Sequence, residues 1–134
     1  MGHTHYWTRP ERVIPFEKFM AVAKDCKKVC DATKVDIRME FDSAEPGIFT
    51  KDTIRFNGHD DEGHETFLVK RTEPDNDSFC KTAQKPYDQC VTACLVILRD
   101  QLGFEISSDG KDDKKGTTGF EEAEKFVKEV LEGK

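Results

Sequence analysis

Residues 90 to 98 read Cys90-Val-Thr-Ala-Cys-Leu-Val-Ile-Leu98, apolar on nearly every side, and Arg99, Asp100 and Gly103 close the run. A helix that is apolar all round has to be covered on all sides by its neighbours. Pro86 suits a first helical turn, because its missing N–H would have no partner there anyway. The pattern therefore predicts a central, buried helix from Pro86 to about Gly103, and the remaining elements must supply its cover. The run is far shorter than the roughly 20 apolar residues that span a bilayer.

Working outward, Ile54 and Phe56 alternate with Thr53, Arg55 and Asn57, and Phe67 and Val69 alternate with Thr66, Leu68 and Lys70. This period of two predicts a half-buried β-hairpin. A tight turn at Asn57-Gly58 would force Asp60, Asp61 and Glu62 into a strand, so a wider loop from about Asn57 to Gly63 is expected. Residues 35 to 41 alternate in the same way, and Phe104-Glu-Ile106 reads as a last strand. The opening Gly2-His-Thr-His-Tyr-Trp-Thr-Arg-Pro10 reads as a short strand with His3, His5 and Trp7 on one face.

Phe16, Phe19, Met20, Ala23, Cys26, Val29 and Cys30 recur every three or four residues and predict an amphipathic helix ending near Thr33. Thr118 with Glu121 resembles a capping box for a final helix bearing Ala123, Phe126, Val127, Val130 and Leu131. Residues 72 to 78 consist largely of turn-formers and read as a loop, and 107 to 119 as a mobile loop. The order β-α-β-β-β-α-β-α predicts an α+β fold: a mainly antiparallel sheet of four to five strands packed by a central helix, with two flanking helices.

The 134 residues fit one domain, and ten Phe with 36% hydrophobic content support a packed core. The net charge of −6 works against binding extended nucleic acid, whose affinity comes largely from cations neutralising phosphates. Residues 1 to 20 have no apolar core flanked as a secretory signal would be, so a cytoplasmic setting is expected, with no membrane partner and with free thiols. The pairs Cys26/Cys30 and Cys90/Cys94 each lie one helical turn apart on an apolar face. A four-thiolate metal site is one reading of them, and small core residues are the reading preferred here.

Several segments hold residues that could carry chemistry. His3 and His5, two apart on a strand, project from one face as paired ligands or an acid/base pair would. The loop Asn57-Gly-His-Asp-Asp-Glu-Gly-His64 holds His59 and His64 among carboxylates, which are ordinary ligands of a divalent metal; a solvated acidic turn is the plainer alternative. His64-Glu65-Thr66 resembles one His-x-Thr motif of the two-histidine phosphoesterases. That family needs two such motifs, and the partner here, His3-Thr4-His5, has His5 where a hydroxyl residue should stand. In Phe79-Cys-Lys-Thr-Ala-Gln-Lys-Pro-Tyr-Asp88, a helix starting at Pro86 puts Lys81, Thr82 and Lys85 near its N-terminus, where backbone N–H groups and the dipole favour an anion; plain solubility is the alternative, and Asp88 reads equally as part of the same site with Tyr87 or as a favourable charge at the helix start. Ser107-Ser-Asp-Gly110 ends the last strand.

Taken together, G-H-T-H-Y-W-T-R-P, I-R-F-N-G, G-H-E-T-F, F-C-K-T-A-Q-K-P-Y-D and S-S-D-G, spread over residues 2 to 110, resemble a family of short uncharacterised proteins of bacteriophage and bacterial genomes. The resemblance implies a phage-type accessory protein in a bacterial cytoplasm, and it transfers no activity and no catalytic residue.

The expectation drawn from the residues is a polar pocket at a sheet edge. In it His3, His5, Arg9, His64, Lys81, Lys85 and Tyr87 would surround a small phosphate-bearing ligand, such as a nucleotide, that is bound or cleaved. On an acidic protein any affinity for an anion has to be local. The alternatives are an acidic interaction protein that covers a basic surface of a host protein without a small ligand, and a metal-dependent hydrolase using His59 and His64.

Overall fold

The computed structural model describes residues 4–108 and 120–133. In chain order the elements are β1 (Thr4–Thr8), α1 (Phe16–Thr33), β2 (Ile37–Arg38), β3 (Ile48–Phe49), β4 (Thr53–Gly58), a 3-10 turn (Asp60–Glu62), β5 (Phe67–Lys70), β6 (Asp77–Lys81), α2 (Asp88–Leu102), β7 (Glu105–Ser108) and α3 (Glu121–Glu132). The α+β class, the antiparallel pairing, the central helix and its two flanking helices are as the sequence predicts. None of these helices is long and apolar enough to cross a membrane.

The strands, however, form two small sheets instead of one. The first has the order β6-β1-β7; the second places β4 between β5 and the short strands β2 and β3. Two strands go beyond the expected five, the short β3 and β6. Residues 72 to 78 were expected to be a loop, yet Asp77 and Ser78 pair with Thr8 and Trp7 across an antiparallel ladder. Pairing with β1 overrides the local preference of Asp and Ser for turns, since a strand's stability lies in its cross-strand partners. The expected strand over 35 to 41 contracts to Ile37–Arg38.

Helix α2 is the hub. Cys90, Val91 and every residue from Ala93 to Leu98 are buried, against α1 on one side and α3 on another. Along the α1–α2 seam the thiols contact one another in the order Cys26, Cys94, Cys30, Cys90, with Cys30 Sγ 3.7 Å from Cys94 Sγ. That arrangement is a zigzag between two helices. Four ligands of one metal ion would instead all have to neighbour one another around a point. Burial opposes ionisation of Cys30, but the Cys90 and Cys94 thiols donate to it and lower it below the usual thiol value, while Cys90 and Cys94 are themselves pushed up.

The two sheets are joined in two ways. An aromatic run crosses the junction, with Trp7 5.2 Å from Phe67, Phe67 5.2 Å from Phe56, and Phe56 5.7 Å from Phe49, centroid to centroid. Alongside it, the buried Arg9 donates from Nε to the Glu11 carbonyl at 2.9 Å, from Nη1 to the Lys70 carbonyl at 2.8 Å and from Nη2 to the Arg71 carbonyl at 2.8 Å. The guanidinium thus fastens the end of β1 to the end of β5.

The wide loop after β4 is built around Asn57, which is buried. Its Oδ1 accepts from the Gly58 and His64 N–H groups, and its Nδ2 donates to the His64 carbonyl and to Thr66 Oγ1. A Cβ at Gly58 would lie 2.1 Å from the Glu62 carbonyl oxygen, so only glycine fits there. The motif Phe-Asn-Gly is therefore explained by how the loop closes.

Two expected outcomes follow from the packing. Arg9→Lys removes a planar fork that an ammonium cannot reproduce, leaves buried carbonyls unpaired, and should lower unfolding free energy by about 2–4 kcal/mol in urea. Because all five cysteines are free and buried, a thiol reagent should find no rapidly reacting group in the native protein and five after denaturation. Two or more fast thiols in the native state would contradict the packing described here.

Candidate functional site

The antiparallel register sets His5 opposite Cys80 of β6 and opposite Ser108 of β7. Opposed residues share a face, so these three side chains form a row on the inner side of the sheet. The first turn of α2 covers that row. His5 Nε2 lies 2.5 Å from Asp88 Oδ1, and Thr82 Oγ1 donates to the same oxygen at 2.5 Å. An ionised carboxylate only accepts, so the ring nitrogen facing it carries the proton. His5 and Thr82 are fully buried, whereas the Asp88 side chain is 24% exposed. The arrangement holds a carboxylate rigidly at the surface by two donors beneath it. Asp88 also sits in the first turn of α2, where negative charge is favoured.

A second strut comes from the loop after β4. The Tyr87 hydroxyl donates to the Glu65 carbonyl at 2.5 Å, and the Lys81 N–H donates to Glu65 Oε1 at 2.8 Å. The Glu65 N–H in turn donates to the Lys81 carbonyl at 3.1 Å. Burial, with the neighbouring Cys80, pushes the Tyr87 phenol well up. Burial, with Glu65, pushes the Cys80 thiol up to about 12, so both stay protonated and act as donors. Cys80 is thereby a buried packing thiol that reaches toward the Glu65 carbonyl.

Between β6 and α2, Ala83 and Gln84 both adopt left-handed backbone, with φ of 53° and 58°. Neither is glycine, and such residues cost about 1–2 kcal/mol each, a strain that persists only where the surroundings fix it. Here the Thr82–Asp88 bond and the Lys85 N–H to Thr82 carbonyl bond at 3.0 Å do so. Helix α2 does not begin at Pro86. The N–H groups of Asp88, Gln89 and Cys90 donate to the carbonyls of Lys85, Pro86 and Tyr87, so the expected cradle of open N–H groups is already closed by this lead-in.

Segments 4–5, 64–66, 80–88 and 108, far apart in sequence, thus meet at one end of the sheet. Of the predicted residues, His5 and Tyr87 lie beneath this end, buried and bonded, while Lys81 and His64 are exposed there and Lys85 is half-exposed. Arg9 is not among them: it stands past the other end of β1, four residues and about 13 Å from His5, held by the carbonyls named above. His3 lies outside the described residues, as do Thr118 and residues 109–119. Sequence reading set Thr82 beside the helix N-terminus and Ser108 at a strand end without making either a site residue, saw in Glu65 only a departure from the phosphoesterase motif, and read Asp88 equally as a favourable charge at the helix start. The clue to Thr82 and Asp88 was their place within one motif with Tyr87.

His59 lies 3.3 Å from Asp36 through Nδ1 and 3.4 Å from Asp60 through Nε2. The two carboxylates are on opposite sides of the ring and share no point with it. Among the described residues no group of three or more His, Cys, Asp and Glu is arranged to hold a metal ion. Among the described residues, two shallow depressions lie away from the site. One, of about 350 Å³, has the Asp52–Arg71 ion pair in its lining; the other, of about 360 Å³, lies between α2 and α3.

Replacing Asp88 with Ala should lower unfolding free energy by about 2–4 kcal/mol, because it leaves the buried His5 ring and Thr82 hydroxyl without their acceptor. Thermal and urea unfolding measure this, and a change below about 0.5 kcal/mol, the range of ordinary surface substitutions, would show that the carboxylate does not hold the network. Against models of protein families, curated proteins and solved structures, the chain finds no match.

Proposed function

We propose that the sheet end formed by β1, β6 and the turn into α2 binds a small phosphate-bearing ligand. Lys81 and Lys85 neutralise the phosphate, His64 adjoins the Glu65 that bonds Lys81, and the Asp88 carboxylate accepts from a hydroxyl or amine of the ligand. What supports this reading is the meeting of four distant segments at one sheet end, where one carboxylate is fixed from below by His5 and Thr82. A surface carboxylate needs no such mounting for solubility alone, and the left-handed Ala83-Gln84 turn beside it is strain of the kind that collects at binding sites. Cations next to a preset acceptor match a ligand with an anionic end and a donor group. The buried residues His5 and Tyr87 act as supports in this reading, and Arg9 has no part in it.

A second reading, an acidic surface for a basic protein partner, has its own supporting observation. Phe41 is 51% exposed, between Glu40 and Asp42, and its carbonyl accepts from the Asp60 N–H. That bond brings Asp60, Asp61 and Glu62 alongside. Nearby Arg38 and Arg55 are paired with Asp36 and Glu40. An exposed aromatic ringed by carboxylates suits a hot spot facing lysines and arginines. In a low-salt pull-down from bacterial lysate, native protein should retain a partner that the Phe41→Ala variant loses.

For the first reading, titration calorimetry with inorganic phosphate, ribose 5-phosphate and nucleoside monophosphates should give saturable heat that weakens with added salt. The Lys81→Ala/Lys85→Ala double variant should bind at least about tenfold more weakly, with folding stability changed by no more than about 0.5 kcal/mol for each exposed substitution. No heat from any of them at millimolar concentration overturns the reading.

A further inference from the structure

We propose that the outer face of the first sheet is a stacking platform for the planar ring of a mononucleotide, formed by Tyr6 and Phe79, with Lys81 receiving the phosphate. For its phosphate end this rests on the reading above.

Tyr6 of β1 stands directly opposite Phe79 of β6. Their ring centroids are 6.5 Å apart at an interplanar angle of 39°, and they are 43% and 55% exposed. Their strand neighbours His5, Trp7 and Cys80 are buried on the inner face. Because side chains alternate along a strand, a register in which Tyr6 and Phe79 turned inward would expel those three. The rings are therefore committed to the outer face, where neither contributes to the core.

The charge along this face is ordered. Lys81, two residues beyond Phe79, shares its side of the sheet about 7 Å further along the strand, opposite Thr4. In the middle, Ser107 stands opposite Tyr6 and adds a hydroxyl. At the other end Thr8 lies opposite both Asp77 and Glu105. The face thus runs from a cation, through two aromatic rings and a hydroxyl, to two carboxylates. A base with a single phosphate group complements that order, since the ring stacks while the anionic end reaches Lys81. A polynucleotide laid along the strands would bring a second phosphate onto Asp77 and Glu105, so the same order rejects it.

The test compares a nucleoside monophosphate, the matching nucleoside and ribose 5-phosphate by calorimetry, on native protein and on the Phe79→Ser and Tyr6→Ser variants, each first shown to melt as the native protein does. The nucleotide should bind at least about fivefold more tightly than ribose 5-phosphate. Phe79→Ser should abolish that advantage while leaving ribose 5-phosphate binding unchanged. Equal affinity for nucleotide and ribose 5-phosphate overturns the platform and leaves the phosphate reading standing. Binding of the nucleoside, lost in Phe79→Ser, with none of ribose 5-phosphate, upholds the platform and overturns the phosphate reading. A concentration-dependent dimer in sedimentation that Phe79→Ser dissolves would assign the face to a second copy of the chain and overturn the proposal.

Discussion

The Asp88 carboxylate, accepting from His5 and Thr82 on a single oxygen, is the bond on which the arrangement of this protein turns. His5 belongs to the middle strand of its sheet, Thr82 follows the edge strand β6, and Asp88 opens the helix that the whole core surrounds. One charged acceptor therefore fixes the angle at which α2 leaves the sheet. Hydrogen bonds to a buried or half-buried charge are among the stronger ones available, because the donors have no water to fall back on. The two left-handed residues between Thr82 and Lys85 persist because both ends of the turn are held in this way.

Around that bond the protein divides its labour by burial. Side chains that looked most chemical, His5, Tyr87, Cys80 and Arg9, each direct at least one polar atom to an acceptor inside the molecule, and they set geometry. In the proposed reading the groups that meet a ligand are the plainer ones at the rim, Lys81, Lys85 and His64. Such a division is what a rigid site requires, because a surface group is placed accurately only if something buried holds it. The same division explains why the exposed Tyr6–Phe79 pair stands out: it is a large apolar area for which the core has no use.

Part of the fold was legible at once. Helix α1, the hairpin strands β4 and β5 with their wide loop, and the buried α2 all follow from periodicity, which depends only on which residues avoid water. β6 was not legible, since Asp77 and Ser78 prefer turns and only the neighbouring β1 makes a strand of them. How the two sheets meet was equally hidden, because it depends on Arg9 and the Trp7–Phe67 contact, which join positions some 60 residues apart in sequence.

By itself the sequence determined the α+β class, the buried central helix, and the short list of polar segments worth examining, because residue type and spacing decide what must be buried and where the chain can turn. Tertiary structure alone decided what each polar residue does. A histidine on a strand has the same pattern whether it faces solvent or lies beneath a helix, and an arginine before a proline reads equally as a ligand contact or as a clamp on carbonyls. Those roles are fixed by the partner that arrives from elsewhere in the chain, Asp88 for His5 and the ends of β5 for Arg9, and local sequence holds no record of that arrival.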